Sequence, residues 1–190
     1  MEEKLTPSEV KHKKVLREIL FKVLYSASMQ CSVDDELLEM IIQDYCERKK
    51  KQVALSETDM VYIKNKAKNI IACAKRLVEV YGGEVPSELD DLLSLAGVGR
   101  KTANVIRGNI YNQPSIVVDT HVKRISKRLG FTKEEDPEKI EFELMRKLPK
   151  DHWILYNIQI ISFGRNICFA RSPKCQECFL YDLCKSKDKK

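Results

Sequence analysis

The 190-residue chain contains no run of about 18 apolar residues, which excludes a transmembrane helix, and no membrane partner is expected. It carries no internal repeat and no low-complexity tract, so stacked-repeat architectures are excluded. Its first residues, Met-Glu-Glu-Lys, lack the basic-then-apolar order of a secretory signal, so a cytoplasmic location is expected. Neither sign of charge dominates. With 34 basic and 28 acidic residues the net charge is +6, which is compatible with a nucleic-acid partner without identifying one. Extended segments are nearly absent as well. Ser115 to Val118 is the one short apolar run that reads as extended, and a single strand cannot make a sheet, so the expected fold class is all-α.

What is present is helical periodicity. Val15, Ile19, Leu20, Val23 and Leu24 recur at helical spacing, as do Leu37, Leu38, Ile41, Ile42 and Tyr45. The basic run at 47–51 reads as a solvated loop that ends the second helix. A third helix over Met60 to Val80 carries a stripe of Ile63, Ala67, Ile70, Ala74 and Leu77, and Tyr81-Gly-Gly83 stops it. Pro86 opens a short helix through Leu95, and another follows Gly99. Asp119-Thr120 caps a helix running to Leu129, and Asp136-Pro137 starts one ending near Leu148-Pro149. A last helix is expected from about Asp151 to Phe163, ended by Gly164, before a charged tail from Lys185.

Cysteine is the residue whose distribution is least even. Four of the seven, Cys168, Cys175, Cys178 and Cys184, follow the spacing Cys-x6-Cys-x2-Cys-x5-Cys. In a reducing compartment such a cluster reads as metal ligation rather than disulfides. Tetrathiolate ligation suits zinc or an iron–sulfur cluster, and the spacing alone does not choose between them, although it is not the rhythm of a zinc ribbon. Cys31, Cys46 and Cys73 fall on apolar helical faces and read as buried thiols.

A second signal is Leu95-Ala-Gly-Val-Gly-Arg-Lys-Thr-Ala103, read as helix, tight turn, helix. Gly97 and Gly99 allow positive φ and leave the backbone bare. The amides that open the next helix then form an anion site suited to a phosphate, with Arg100, Lys101 and Thr102 beside it. Read alone, the turn is an ordinary glycine turn, Lys101 a phosphate contact and Asp119 an N-cap.

These residues resemble the endonuclease III family of DNA glycosylases. Leu95 to Val105 resembles its helix–hairpin–helix, Val117-Val-Asp-Thr-His-Val-Lys-Arg124 looks like its Gly/Pro/Asp segment, and the cysteine spacing resembles its [4Fe-4S] loop. Lys101 and Asp119 stand 18 positions apart, as that family's pattern requires. The likeness covers roughly residues 65–184. It implies two helical domains: 9–112 with the hairpin at about 93–106, and 1–8 with 113–190 carrying the cluster loop, with DNA bound between them.

The resemblance also implies a chemistry. Lys101 would attack C1′ of a damaged nucleotide flipped out of the duplex, and the resulting Schiff base would permit β-elimination of the 3′ phosphate. Only the free amine is a nucleophile, and Arg100 and the helix dipole would favour it. Asp119 would help activate Lys101 and stabilise positive charge growing on the sugar. Lysine at position 101, where mismatch-type relatives carry tyrosine or serine, implies a bifunctional glycosylase and abasic-site lyase acting on oxidised pyrimidines in double-stranded DNA. The implied cofactor is [4Fe-4S] on Cys168, Cys175, Cys178 and Cys184. Arg171 and Lys174 in its loop, and His121 after Asp119, would contact DNA. The protein would act as a monomer in the cytoplasm or nucleoid, or in the nucleus of a eukaryote.

The first 64 residues depart from the family. Ser28, with Gln30 offset by two, stands where a glutamine usually fills the gap left by the flipped base. Tyr62, in Val61-Tyr62-Ile63, stands at the wedge position without the usual glycine, and Ala96 replaces a proline. Two alternatives therefore accompany the reading: a mismatch or other damaged-base glycosylase on the same scaffold, and a non-catalytic DNA-binding protein using the hairpin as a phosphate clamp.

Overall fold

The computed structural model describes residues 6–30, 35–49, 55–187 and 189. Cys31 and the side chains of Ser28 and Gln30 lie outside the described residues. The helices are α1 (Pro7–Gln30), α2 (Asp35–Lys49), α3 (Glu57–Tyr81), α4 (Leu89–Leu93), α5 (Arg100–Asn109), α6 (Thr120–Leu129), α7 (Pro137–Lys147) and α8 (Trp153–Asn166), with short 3-10 turns at Lys150–His152 and Cys175–Glu177. No strand occurs among the described residues, as the all-α expectation requires. No helix among them is long and apolar enough to cross a membrane.

The chain divides into two compact units. The first is Met1–Val85 with Leu95–Gly97, and the second is Pro86–Ser94 with Val98–Lys190. The sequence suggested 9–112 as one domain. The compact units instead group α5, the second helix of the hairpin, with the C-terminal helices.

In the first unit α1, α2 and α3 bury Leu16, Ile19, Val23, Leu37, Leu38, Ile41, Tyr45, Ile63 and Ala67. Only the first half of the expected α3 stripe is covered. Ile63 and Ala67 are buried, whereas Ile70 is 44% exposed. α3 begins where Ser56 and Asp59 form a reciprocal capping box, which satisfies two otherwise orphaned amides. His12 of α1 bonds Asp59 at 2.9 Å and ties the two helices together. Gly82, at φ +62°, ends α3 as expected.

In the second unit Ile116, Val122, Ile125, Ile140, Leu144, Trp153 and Ile160 form one core from α6, α7, α8 and the segment before α6. Asp136 caps α7, accepting from the Lys139 amide at 3.0 Å, and Pro137 takes the first helical position, where its missing N–H costs nothing. Several expected boundaries move. α4 starts at Leu89 rather than Pro86. α8 runs through Gly164 to Asn166, and Gly164 is buried. A Cβ at Gly164 would stand 2.9 Å from Ile125 Cδ1 and collide with His121. This glycine therefore serves close packing of α8 on α6, not helix termination.

Candidate catalytic hairpin and cluster loop

The hairpin turn uses its two glycines differently. Gly97 adopts φ +79°, and a Cβ there would press on Asn69 Cβ at 3.3 Å. Gly99 has φ −93° and is the N-cap of α5, so the left-handed freedom expected of both is used at Gly97 alone. The first α5 ladder bond runs from the Ala103 amide to the Gly99 carbonyl at 3.0 Å. The amides of Arg100, Lys101 and Thr102 precede that ladder, and Gly99 brings no side chain to cap them. Lys101 and Thr102 are exposed, and Lys101 has no hydrogen-bond or ion-pair partner among the described residues.

Arg100 is placed otherwise than expected. Its Nε donates to Glu141 Oε2 at 2.8 Å and its Nη2 to Glu141 Oε1 at 3.1 Å. Glu138 adds a 3.4 Å ion pair, and the guanidinium lies 5.0 Å from the centre of the Phe142 ring. The bond to the Glu141 carboxylate holds Arg100 more firmly protonated, against the cost of its partial burial. Its charge is thus offset by internal carboxylates. It ties α5 to α7 rather than standing open to a phosphate.

Asp119 caps α6. Its Oδ1 accepts from the Val122 amide at 2.8 Å, while Oδ2 has no hydrogen-bond partner among the described residues. The residue is half-buried. The cap that sequence offers as the plain reading of Asp119 is therefore real, and it occupies one oxygen of the two. His121 is also half-buried, with Nδ1 3.2 Å from Arg124 Nη2 and the ring against Gly164. That places it in the contact between α6 and α8 rather than at an open DNA-facing position. In the other unit Tyr62 is 47% exposed on α3, with the Lys66 ammonium 5.8 Å from its ring centre.

The four cysteines, each half-buried, line a single cavity together with Ile125, Leu129, Phe163 and Ile167. Among the described residues no three His, Cys, Asp or Glu side chains converge closely enough to hold one metal ion. Four thiols around one largely apolar cavity fit the tetrathiolate ligation of a cluster. Two residues that the motifs did not flag organise this loop. Arg128 Nη1 donates to Cys168 Sγ at 3.2 Å and to the Phe169 carbonyl at 2.7 Å, and its Nη2 donates to the Ala170 carbonyl at 3.2 Å. Arg124 Nη2 donates to the Cys168 carbonyl at 2.9 Å. The available signal was a pair of arginines four apart on an otherwise core-facing helix, polar heads that need partners. In the loop itself Arg171 is exposed, and Lys174 pairs with Glu177 at 3.6 Å. Cys46 and Cys73, expected to be buried, are half-buried.

Comparison with known proteins agrees with this geometry. Residues 28–150 match the HhH-GPD superfamily of base excision DNA repair proteins, and residues 168–184 match the iron–sulfur binding domain of endonuclease III. The chain is 49% identical over 128 residues to endonuclease III of Bacillus subtilis, covering 67% of this chain and 58% of that protein. It is 39% identical over 174 residues to endonuclease III of Thermotoga maritima, covering 86% of this chain and 82% of that one. A solved structure of a trapped endonuclease III–DNA covalent intermediate superimposes with a TM-score of 0.61 at 38% identity, covering 90% of this chain and 83% of that one. The cysteine loop at residues 168–184 is accordingly a [4Fe-4S] binding domain. The chain belongs to the endonuclease III family of helix–hairpin–helix base excision DNA repair proteins.

Proposed function

We propose that this chain is a bifunctional DNA glycosylase and abasic-site lyase acting on oxidised pyrimidines in double-stranded DNA, in the cytoplasm or nucleoid and as a monomer. One observation carries the reading: Lys101 is exposed in the first turn of α5, without a side-chain partner among the described residues, and the N-cap before it is a glycine that brings no side chain to the opening amides. The relatives support it, one of them having been trapped as a covalent DNA intermediate.

In this reading the amides of α5 and the Thr102 hydroxyl hold a backbone phosphate. The Lys101 amine attacks C1′, and the bond to the base breaks with its electron pair leaving on the base. Asp119, through the oxygen not used by the cap, stabilises the positive charge on the sugar and accepts the proton lost by the amine. The nitrogen lone pair then opens the sugar ring, the C1′–O4′ bond breaking with its electron pair on O4′, which takes a proton, and the imine so formed acidifies the C2′ hydrogen. Its loss as a proton expels the 3′ phosphate and cuts the strand. Cys168, Cys175, Cys178 and Cys184 would hold the [4Fe-4S] cluster and so order the C-terminal loop, in which the exposed Arg171 adds charge for the DNA backbone.

The test is borohydride trapping on a duplex with one abasic site. Wild-type protein is expected to give a covalent adduct and Lys101→Gln none. An adduct of equal yield with Lys101→Gln, or none from wild-type protein that binds the same duplex, would overturn the reading.

A further inference from the structure

The segment leading into Asp119 poses a polar problem. Ser115, Ile116 and Val117 are extended and buried, yet no strand among the described residues is available to pair with their backbone. Buried amides and carbonyls without partners are costly, so something else must bond them.

Two asparagine side chains do so. Asn104 Nδ2 donates to the Ile116 carbonyl at 3.1 Å. Asn157 Oδ1 accepts from the Val117 amide at 3.1 Å, and its Nδ2 donates to the Ser115 carbonyl at 3.1 Å. Ser115 Oγ returns a bond to the Asn104 carbonyl at 2.9 Å. Both asparagines are buried, at 2% and 8% exposure. The approach is close: a Cβ on Gly108 would stand 2.8 Å from Ser115 Oγ. Together the two side chains act as a substitute for a neighbouring strand.

Their positions give this clamp a consequence. Asn104 lies on α5 three residues after Lys101, less than one turn away. Its side chain bonds the Ile116 carbonyl, and the Asp119 amide bonds back to the Val117 carbonyl at 3.2 Å. A short rigid path therefore runs from Lys101 through α5 and Asn104 to the clamped segment and on to Asp119. Asn157 holds the same segment from α8.

We propose that Asn104 and Asn157 are positioning residues that fix the Asp119 carboxylate relative to the Lys101 amine. Neither touches the substrate, and each acts through Asp119. The inference rests on the proposed roles of Lys101 and Asp119. A displacement of reacting groups by about 1 Å can cost about 100-fold in rate, so the hydrogen bonds that hold the segment before Asp119 are enough to matter.

The experiment measures single-turnover base excision and borohydride trapping with holoprotein carrying Asn104→Ala or Asn157→Ala, each also made in an Asp119→Asn background. Ser115→Ala, which removes only one of the four bonds, keeps the test open should a larger change prevent folding. Hydrogen exchange of the Val117 amide reads the clamp without reference to activity. The expected result is a loss of about 100-fold in excision rate for either asparagine variant, with duplex affinity changed by less than about threefold. That loss should vanish in the Asp119→Asn background, because the two act on one step. Val117 exchange should accelerate in Asn157→Ala. A rate loss that persists undiminished in the Asp119→Asn background would mark a merely structural role and overturn the proposal. So would wild-type excision rates in a variant whose Val117 amide exchanges freely. Wild-type protein that forms no adduct would sink the Lys101 imine reading itself, a failure distinct from either.

Discussion

Arg100 and Glu141 form a two-pronged ion pair, with nitrogen–oxygen distances of 2.8 and 3.1 Å, between the first turn of α5 and the buried face of α7. The arginine is the immediate neighbour of Lys101, so the pair anchors the helix start from which Lys101 projects. A planar guanidinium fits a carboxylate in this way, and a lysine would not.

Arg100→Ala is therefore expected to act on stability more than on DNA affinity. Glu141 is nearly buried, and stripping its partner costs on the order of 2 kcal/mol. Denaturant unfolding should show that loss as a lower midpoint with an unchanged slope. If Arg100 instead held a phosphate, the salt dependence of duplex binding would flatten by about one ion. An unchanged salt slope with a lowered midpoint is the expected pair of results, and the reverse pair would return Arg100 to the DNA.

Asp119 carries two duties that one substitution can separate. Asparagine caps a helix about as well as aspartate, so Asp119→Asn should leave stability within about 0.5 kcal/mol of wild type. The charge is lost, and with it the stabilisation of the positive sugar, so base excision should fall by at least about 100-fold. Asp119→Ala loses both, adding roughly 1 kcal/mol of destabilisation to the same loss of rate. Full excision by Asp119→Asn would reduce Asp119 to a cap.

Much of this was legible beforehand because the signals are local. Asp119, and Asp136 with Pro137, mark helix starts through bonds made within three residues. The lysine, the aspartate and the four cysteines stand out by type and spacing. What was not legible depends on distant partners. Gly164 looked like a stop signal, but its missing Cβ is required by His121 and Ile125, about forty positions earlier. Arg100 looked free because Glu141 is 41 residues away. The polar satisfaction of the lone extended segment by Asn104 and Asn157 likewise needed the folded neighbourhood.

Arg128 offers the clearest test of how the cluster loop is held. Its fork reaches Cys168 Sγ and the carbonyls of Phe169 and Ala170, three acceptors in the segment that begins the loop. A guanidinium N–H donated to a ligand sulfur orients it and supports the ligand from outside the cluster. Removing partners of this kind typically weakens metal binding by 10- to 100-fold. Arg128→Lys keeps the charge but has a single point of donation where the fork had two nitrogens engaged. The visible absorbance of the purified holoprotein should therefore bleach about tenfold faster in chelator for Arg128→Lys than for wild type, and faster again for Arg128→Ala. Substituting Arg171, which is exposed in the same loop, should leave the bleaching rate unchanged. Equal rates for wild type and both Arg128 variants would mean that the four cysteines hold the cluster without help from α6.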